Sequence, residues 1–138
     1  MQNLISKATC IVWAGALLEM VYAFIDHRNT QKKSVNENDG ISIPHLCFVN
    51  AALAIEQIGN DPTNLKYYLL EELIPTKGAG GPFRKYLNNT SAVPIISSDA
   101  EAQDCVDFLS FAQHVQYYKT DRKAFFSDLQ GKCRLRYF

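Results

Sequence analysis

The 138-residue chain reads as an α+β fold with two main helices and three or four antiparallel strands. Apolar residues recur at three- and four-residue steps over 3–26 and again over 100–117, the period of a helix with one buried face. Between and after those stretches lie short runs rich in Tyr, Leu, Phe and Ile, bounded by turn residues, which read as strands. The composition is 47% hydrophobic and 12% aromatic, so disorder is excluded for most of the length and a single domain with a sizeable core is expected.

The first helix, 3–26, sets Leu4, Ala8, Ile11, Val12, Gly15, Leu18, Tyr22 and Ile25 on one face. Its apolar stretch Ile11 to Ile25 is interrupted by Glu19 and preceded by Lys7 alone, and it falls short of the roughly 20 apolar residues a membrane span needs. We therefore expect a core helix rather than a signal or an anchor. Residues 27–42 are polar and contain Asn38-Asp39-Gly40, which predicts a surface loop. Pro44 opens an apolar stretch with a strand near 45–51, the Ala-rich part 51–58 being open between strand and short helix. Asn60-Asp61-Pro62-Thr63 is a turn, and 66–74 a strand on its Tyr, Leu and Ile content. Gly78-Ala79-Gly80-Gly81-Pro82 predicts a flexible loop before a short element at Phe83–Leu87. Ser98 or Asp99 caps the second helix, whose apolar face is Val106, Leu109, Phe111, Ala112 and Val115. A turn at Thr120–Lys123 leads into a last strand, 124–128.

Fourteen basic residues balance fourteen acidic ones, so no global field draws the chain to nucleic acid or to an anionic membrane. Cys10, Cys47, Cys105 and Cys133 form no Cys-x-x-Cys pair. Four reduced, mostly buried thiols are expected, in a soluble protein of the cytoplasm or nucleus.

The chemistry concentrates at the end of the chain. In Phe111–Gly131 an apolar run, Ala124-Phe125-Phe126, is followed by Asp128 and Gln130, with Gly131 closing the phrase. A carboxylate and an amide two residues apart are hard oxygen donors of the kind that hold Mg²⁺ against a phosphate. The same Asp-x-Gln-Gly also describes an ordinary turn.

Two ordered patches resemble the alpha-type protein kinases. Phe111-Ala112-Gln113-His114-Val115-Gln116-Tyr117 followed by Asp128-Leu129-Gln130-Gly131 is similar to the family's F-S-H-F-T-Y-E and D-[LI]-Q-G phrases. Tyr67-Tyr68-Leu69-Leu70-Glu71-Glu72-Leu73-Ile74-Pro75 resembles the hinge strand, and Phe83-Arg84-Lys85-Tyr86-Leu87-Asn88-Asn89 resembles the F-x-K-Y-x-N-N phrase after it. The wording is most similar to the expanded fungal set of these kinases.

The resemblance implies a serine/threonine protein kinase that binds ATP with Mg²⁺ and acts on a protein substrate. It implies Asp128 as catalytic and metal-binding, Gln130 as a second metal ligand, Glu71 and Leu73 on the base of the nucleotide, and Lys85 and Asn88 along the cleft. Each has a plainer reading: one of the two glutamates facing solvent by strand alternation, Lys85 as a charged strand residue, Asn88-Asn89 as turn amides. His114 matches a family zinc ligand whose His-x-Cys-x-x-x-Cys partners do not occur here, and one histidine builds no tetrahedral site. Zinc is accordingly not expected.

After Gly131 the family continues with a D-P-Q-I-H-T-like phrase carrying a catalytic aspartate, where this chain has Lys132-Cys133-Arg134. No nucleotide lysine precedes the first helix. The expectation is a truncated or degenerate kinase domain over 1–138, without the N-lobe strands and zinc module and impaired in phosphotransfer. The alternative is a noncatalytic pseudokinase or protein-interaction module using an exposed sheet edge.

Overall fold

The computed structural model describes residues 2–32, 43–75, 82–91 and 93–132. Of the loops expected at 27–42 and 78–82, residues 33–42 and 78–81 lie outside them, as does Cys133. Among the described residues two helices and four strands follow in order: α1 (Gln2–Lys32), β1 (Ala51–Gln57), β2 (Leu65–Glu71), β3 (Arg84–Lys85), α2 (Ala100–Lys119) and β4 (Gln130–Gly131). The strands form two antiparallel pairs, β1–β2 and β3–β4. This is the α+β architecture expected.

Helix α1 runs one and a half turns past the expected end. Residues 27–32 are polar but contain neither Gly nor Pro, and polarity alone does not stop a helix. The Thr30 hydroxyl bonds back to the Asp26 and His27 carbonyls within this extension. At 31 residues α1 is long and apolar enough, by length and composition, to cross a membrane, which corrects the argument that the stretch is too short. Its predicted buried face holds only in the second half. Leu18 and Val21 are buried and Tyr22, Phe24 and Ile25 pack on the core, whereas Ile5, Val12 and Trp13 are exposed.

Helix α2 keeps the face its period predicts. Ala102, Cys105, Val106, Phe108, Leu109, Ala112, Val115 and Gln116 are buried at three- and four-residue steps. Phe111 is the exception, half-exposed with its ring 6.5 Å from that of Phe24 at the α1–α2 seam. Arg28 and Lys119 stand over the Phe24 ring at 5.3 and 5.1 Å, cation–π contacts that close the seam. The N-cap is Asp99: its Oδ1 accepts from the Ala102 N–H, and its Oδ2 takes Arg84 at 2.8 Å, tying β3 to the start of α2.

The expected strand at 45–51 lies later, at 51–57. Residues 43–50 are irregular because α1 already engages their backbone: the Tyr22 hydroxyl donates to Pro44 O at 2.8 Å and accepts from Leu46 N at 2.7 Å. β1 and β2 then pair from Ala51↔Glu71 to Gln57↔Leu65. In the connecting turn Asp61 Oδ1 accepts from the Thr63 N–H and hydroxyl, which holds the Asp61 carboxyl below its ordinary pKa, and Gly59 takes a left-handed φ of 71°. The expectation of mostly buried thiols is not met among the described cysteines: Cys10 and Cys47 are free and exposed, and Cys105 on α2 is wholly buried.

Candidate functional site

Residues 84–87 and 129–131 are 42 or more positions apart in sequence and adjacent in space. Arg84 pairs with Gly131 and Lys85 with Gln130. The Tyr86 and Leu87 N–H groups both donate to Leu129 O, at 2.9 and 3.3 Å. Tyr86 and Leu87 are buried in the core, so this short ribbon is fixed from beneath. The two phrases that stood out in the sequence are therefore one structural unit.

On the open side of that ribbon Lys85 Nζ meets Asp128 Oδ1 at 2.6 Å. Both side chains are about half exposed, 42% and 51%, so the pair is accessible and adds little stability by itself. Gln130 lies opposite Lys85 in the ladder and is exposed. The corner thus holds a cation, a carboxylate and an amide, and Asn88 follows three residues beyond Lys85 with its side chain partly buried.

Residues 124–128 are not the strand their apolar content predicts. The Gln116 side chain accepts from the Phe126 N–H at 3.0 Å and the Gln113 side chain donates to Phe126 O at 2.7 Å. Two glutamines one helical turn apart on α2 do what a neighbouring strand would have done. Thr120 adds to this, its hydroxyl bonding both the N–H and the carbonyl of Ala124. The chain then turns at Asp128, which has the left-handed φ of 57°, a region Asp enters at modest cost. The permissive residue of the phrase is Asp128, and not Gly131 as its position suggested. Gln113, Gln116 and Thr120 were visible in the sequence only as polar residues spaced by three and four among the other polar residues of α2 and its C-cap.

The other candidates lie elsewhere. Glu71 ends β2 and Leu73 follows it, 86% exposed. β2 packs on β1 and α1 and makes no contact with β3 or β4, so Glu71 is not gathered with Lys85, Asp128 and Gln130. Glu72, its neighbour, is engaged, accepting from the backbone and side-chain nitrogens of Asn50 at 3.2 and 3.0 Å. His114 is exposed on α2. Among the described residues no group of three or more His, Cys, Asp and Glu could hold a metal ion. Asp128 and Gln130 fit a magnesium ion only as part of a set that phosphates and water complete, which is that ion's usual habit.

No curated protein and no solved structure matches the chain. The family model of the alpha-kinase family matches residues 11–137, from within α1 through α2 and both strand pairs. The chain belongs to the alpha-kinase family.

Proposed function

We propose that this chain binds Mg·ATP at the Lys85–Asp128–Gln130 corner and transfers phosphate to a protein serine or threonine weakly or not at all. The observation that carries the reading is the Lys85–Asp128 pair on the exposed face of a ribbon built from two family phrases. Phosphoryl transfer asks a protein mainly for positioning and charge neutralisation. Asp128 and Gln130 would hold the ion, and Lys85 would meet the phosphate charge that it now gives to Asp128. Magnesium, when bound, neutralises the phosphate oxygens.

Impairment is supported by the residue after Gly131, which is Lys132 where the family resemblance calls for an aspartate phrase. Loss of one such positioning or charge-stabilising group costs about 10²–10³ in rate. The family implies a nucleotide and a protein substrate as partners, and the balanced charge adds no field toward nucleic acid or an anionic membrane. A location in the cytoplasm or nucleus is part of this proposal, since thiols there are kept reduced. A thiol count by mass spectrometry on protein taken from its native cells would decide the compartment.

The test is thermal unfolding with and without Mg·ATP, repeated with ATP and a chelator and on Asp128→Asn. Asn is chosen because it tolerates the left-handed backbone that Ala would strain. Ligand at a hundredfold over its Kd adds about 2.7 kcal/mol of stability. A shift that needs magnesium and disappears in the variant is expected. A folded protein with no shift would overturn the reading and leave the noncatalytic interaction module in its place.

A further inference from the structure

β1 covers one edge of β2, and no described residue pairs with the other. Which groups face that open edge follows from the ladder. Glu72 N donates to Asn50 O and Ile58 N to Asn64 O, each at 2.9 Å, so 50/72 and 58/64 are hydrogen-bonded positions. Such positions alternate along an antiparallel pair. Lys66, Tyr68, Leu70 and Glu72 therefore turn their backbone groups toward β1, and Leu65, Tyr67, Leu69 and Glu71 turn theirs outward.

We propose that this edge pairs with the same edge of a second copy of the chain, across a two-fold axis at Leu69. The choice of occupant rests on charge complementarity. A regular antiparallel ladder must set outward-facing positions against outward-facing ones. Centred on Leu69, it places Lys66 opposite the partner's Glu72, and the two-fold repeats that pair. The same register sets Tyr68 against the partner's Leu70 and Leu65 against the partner's Leu73. Moving the centre one residue either way puts Lys66 opposite Leu70 or Ile74 instead, and the charge match is lost. Tyr68, Leu70 and Leu73 are 41, 55 and 86% exposed in the single chain, so the pairing covers apolar surface as well. The chain's zero net charge adds no repulsion between copies. The result is a four-stranded antiparallel sheet, β1–β2–β2–β1. It does not depend on nucleotide binding.

The oligomeric state by sedimentation equilibrium tests this, with K66E and the exchange K66E/E72K as variants. A dimer is expected for the native chain. Dimerisation should be about tenfold weaker in K66E, where like charges face each other twice, and recover in the exchange. A third variant needs no charge change. In a C10S/C47S background, Leu69→Cys should cross-link to itself on mild oxidation, because residues facing each other at a hydrogen-bonded position lie about 5.5 Å apart at Cα, within disulfide reach. Ile55→Cys, exposed on β1, should not. A native chain that stays monomeric at its solubility limit overturns the proposal. So does a dimer that K66E leaves unchanged, or a failure of Leu69→Cys to cross-link.

Discussion

Replacing Gln116 with Ala should cost about 1–3 kcal/mol and loosen the segment that leads to Asp128. Gln116 is fully buried, and its side-chain oxygen is the acceptor for the Phe126 N–H. Without it that N–H is left unsatisfied in the core beside Phe126, itself 6% exposed, at about 1–3 kcal/mol. The lost methylene adds about 0.8 kcal/mol. Against this, Nε2 of Gln116 is buried with no partner among the described residues, so its removal returns about 1 kcal/mol. For a domain of this size the net corresponds to a fall in Tm of about 3–10 °C. Urea unfolding gives the energy, and hydrogen exchange at the Phe126 amide shows where it arises. Gln113→Ala is the comparison: its side chain is only partly buried and holds Phe126 O at 2.7 Å, so about 0.5–1.5 kcal/mol is expected. A Gln116→Ala protein within about 0.5 kcal/mol of native, with Phe126 exchange unchanged, would refute the idea that α2 amides stand in for a strand.

Two further substitutions test the frame around the site. Tyr22→Phe should lose about 1–3 kcal/mol, since Pro44 O and Leu46 N both lose their partner. Burial raises the Tyr22 phenol above its ordinary pKa, the Leu46 N–H acting in the opposite direction. The stability it adds is thus complete below the unfolded value of about 10 and is lost as pH rises through the folded value, so Tyr22→Phe should remove that part of the alkaline loss seen in urea midpoints. Asp99→Ala should cost about 0.5–1 kcal/mol, near the low end for an N-cap because the Ala102 contact is 3.4 Å and the Arg84 pair is partly exposed. Asp99→Asn, which keeps a capping oxygen, should recover most of that in the same unfolding assay.

What the sequence alone determined is the part governed by local periodicity and short signals. The α2 stripe, its Asp99 cap, the Asp61 turn and the β2 run all came from patterns within a few residues, and the ordered phrases at 67–75, 83–89 and 111–131 identified the family. Tertiary structure decided what depends on partners far along the chain. Whether 45–50 or 51–57 becomes strand rests on Tyr22 taking the backbone of Pro44 and Leu46. Whether 124–128 pairs as a strand rests on Gln113 and Gln116 reaching it first. The half-exposure of α1 could not be read from its apolar stripe, because a stripe tells which face is apolar and not how much of its length finds a neighbour. The candidate site divided the same way. Asp128, Gln130 and Lys85 were legible as residues, but that Lys85 meets Asp128 while Glu71 stays with another sheet is a matter of strand pairing, and pairing is set by contacts no local window contains.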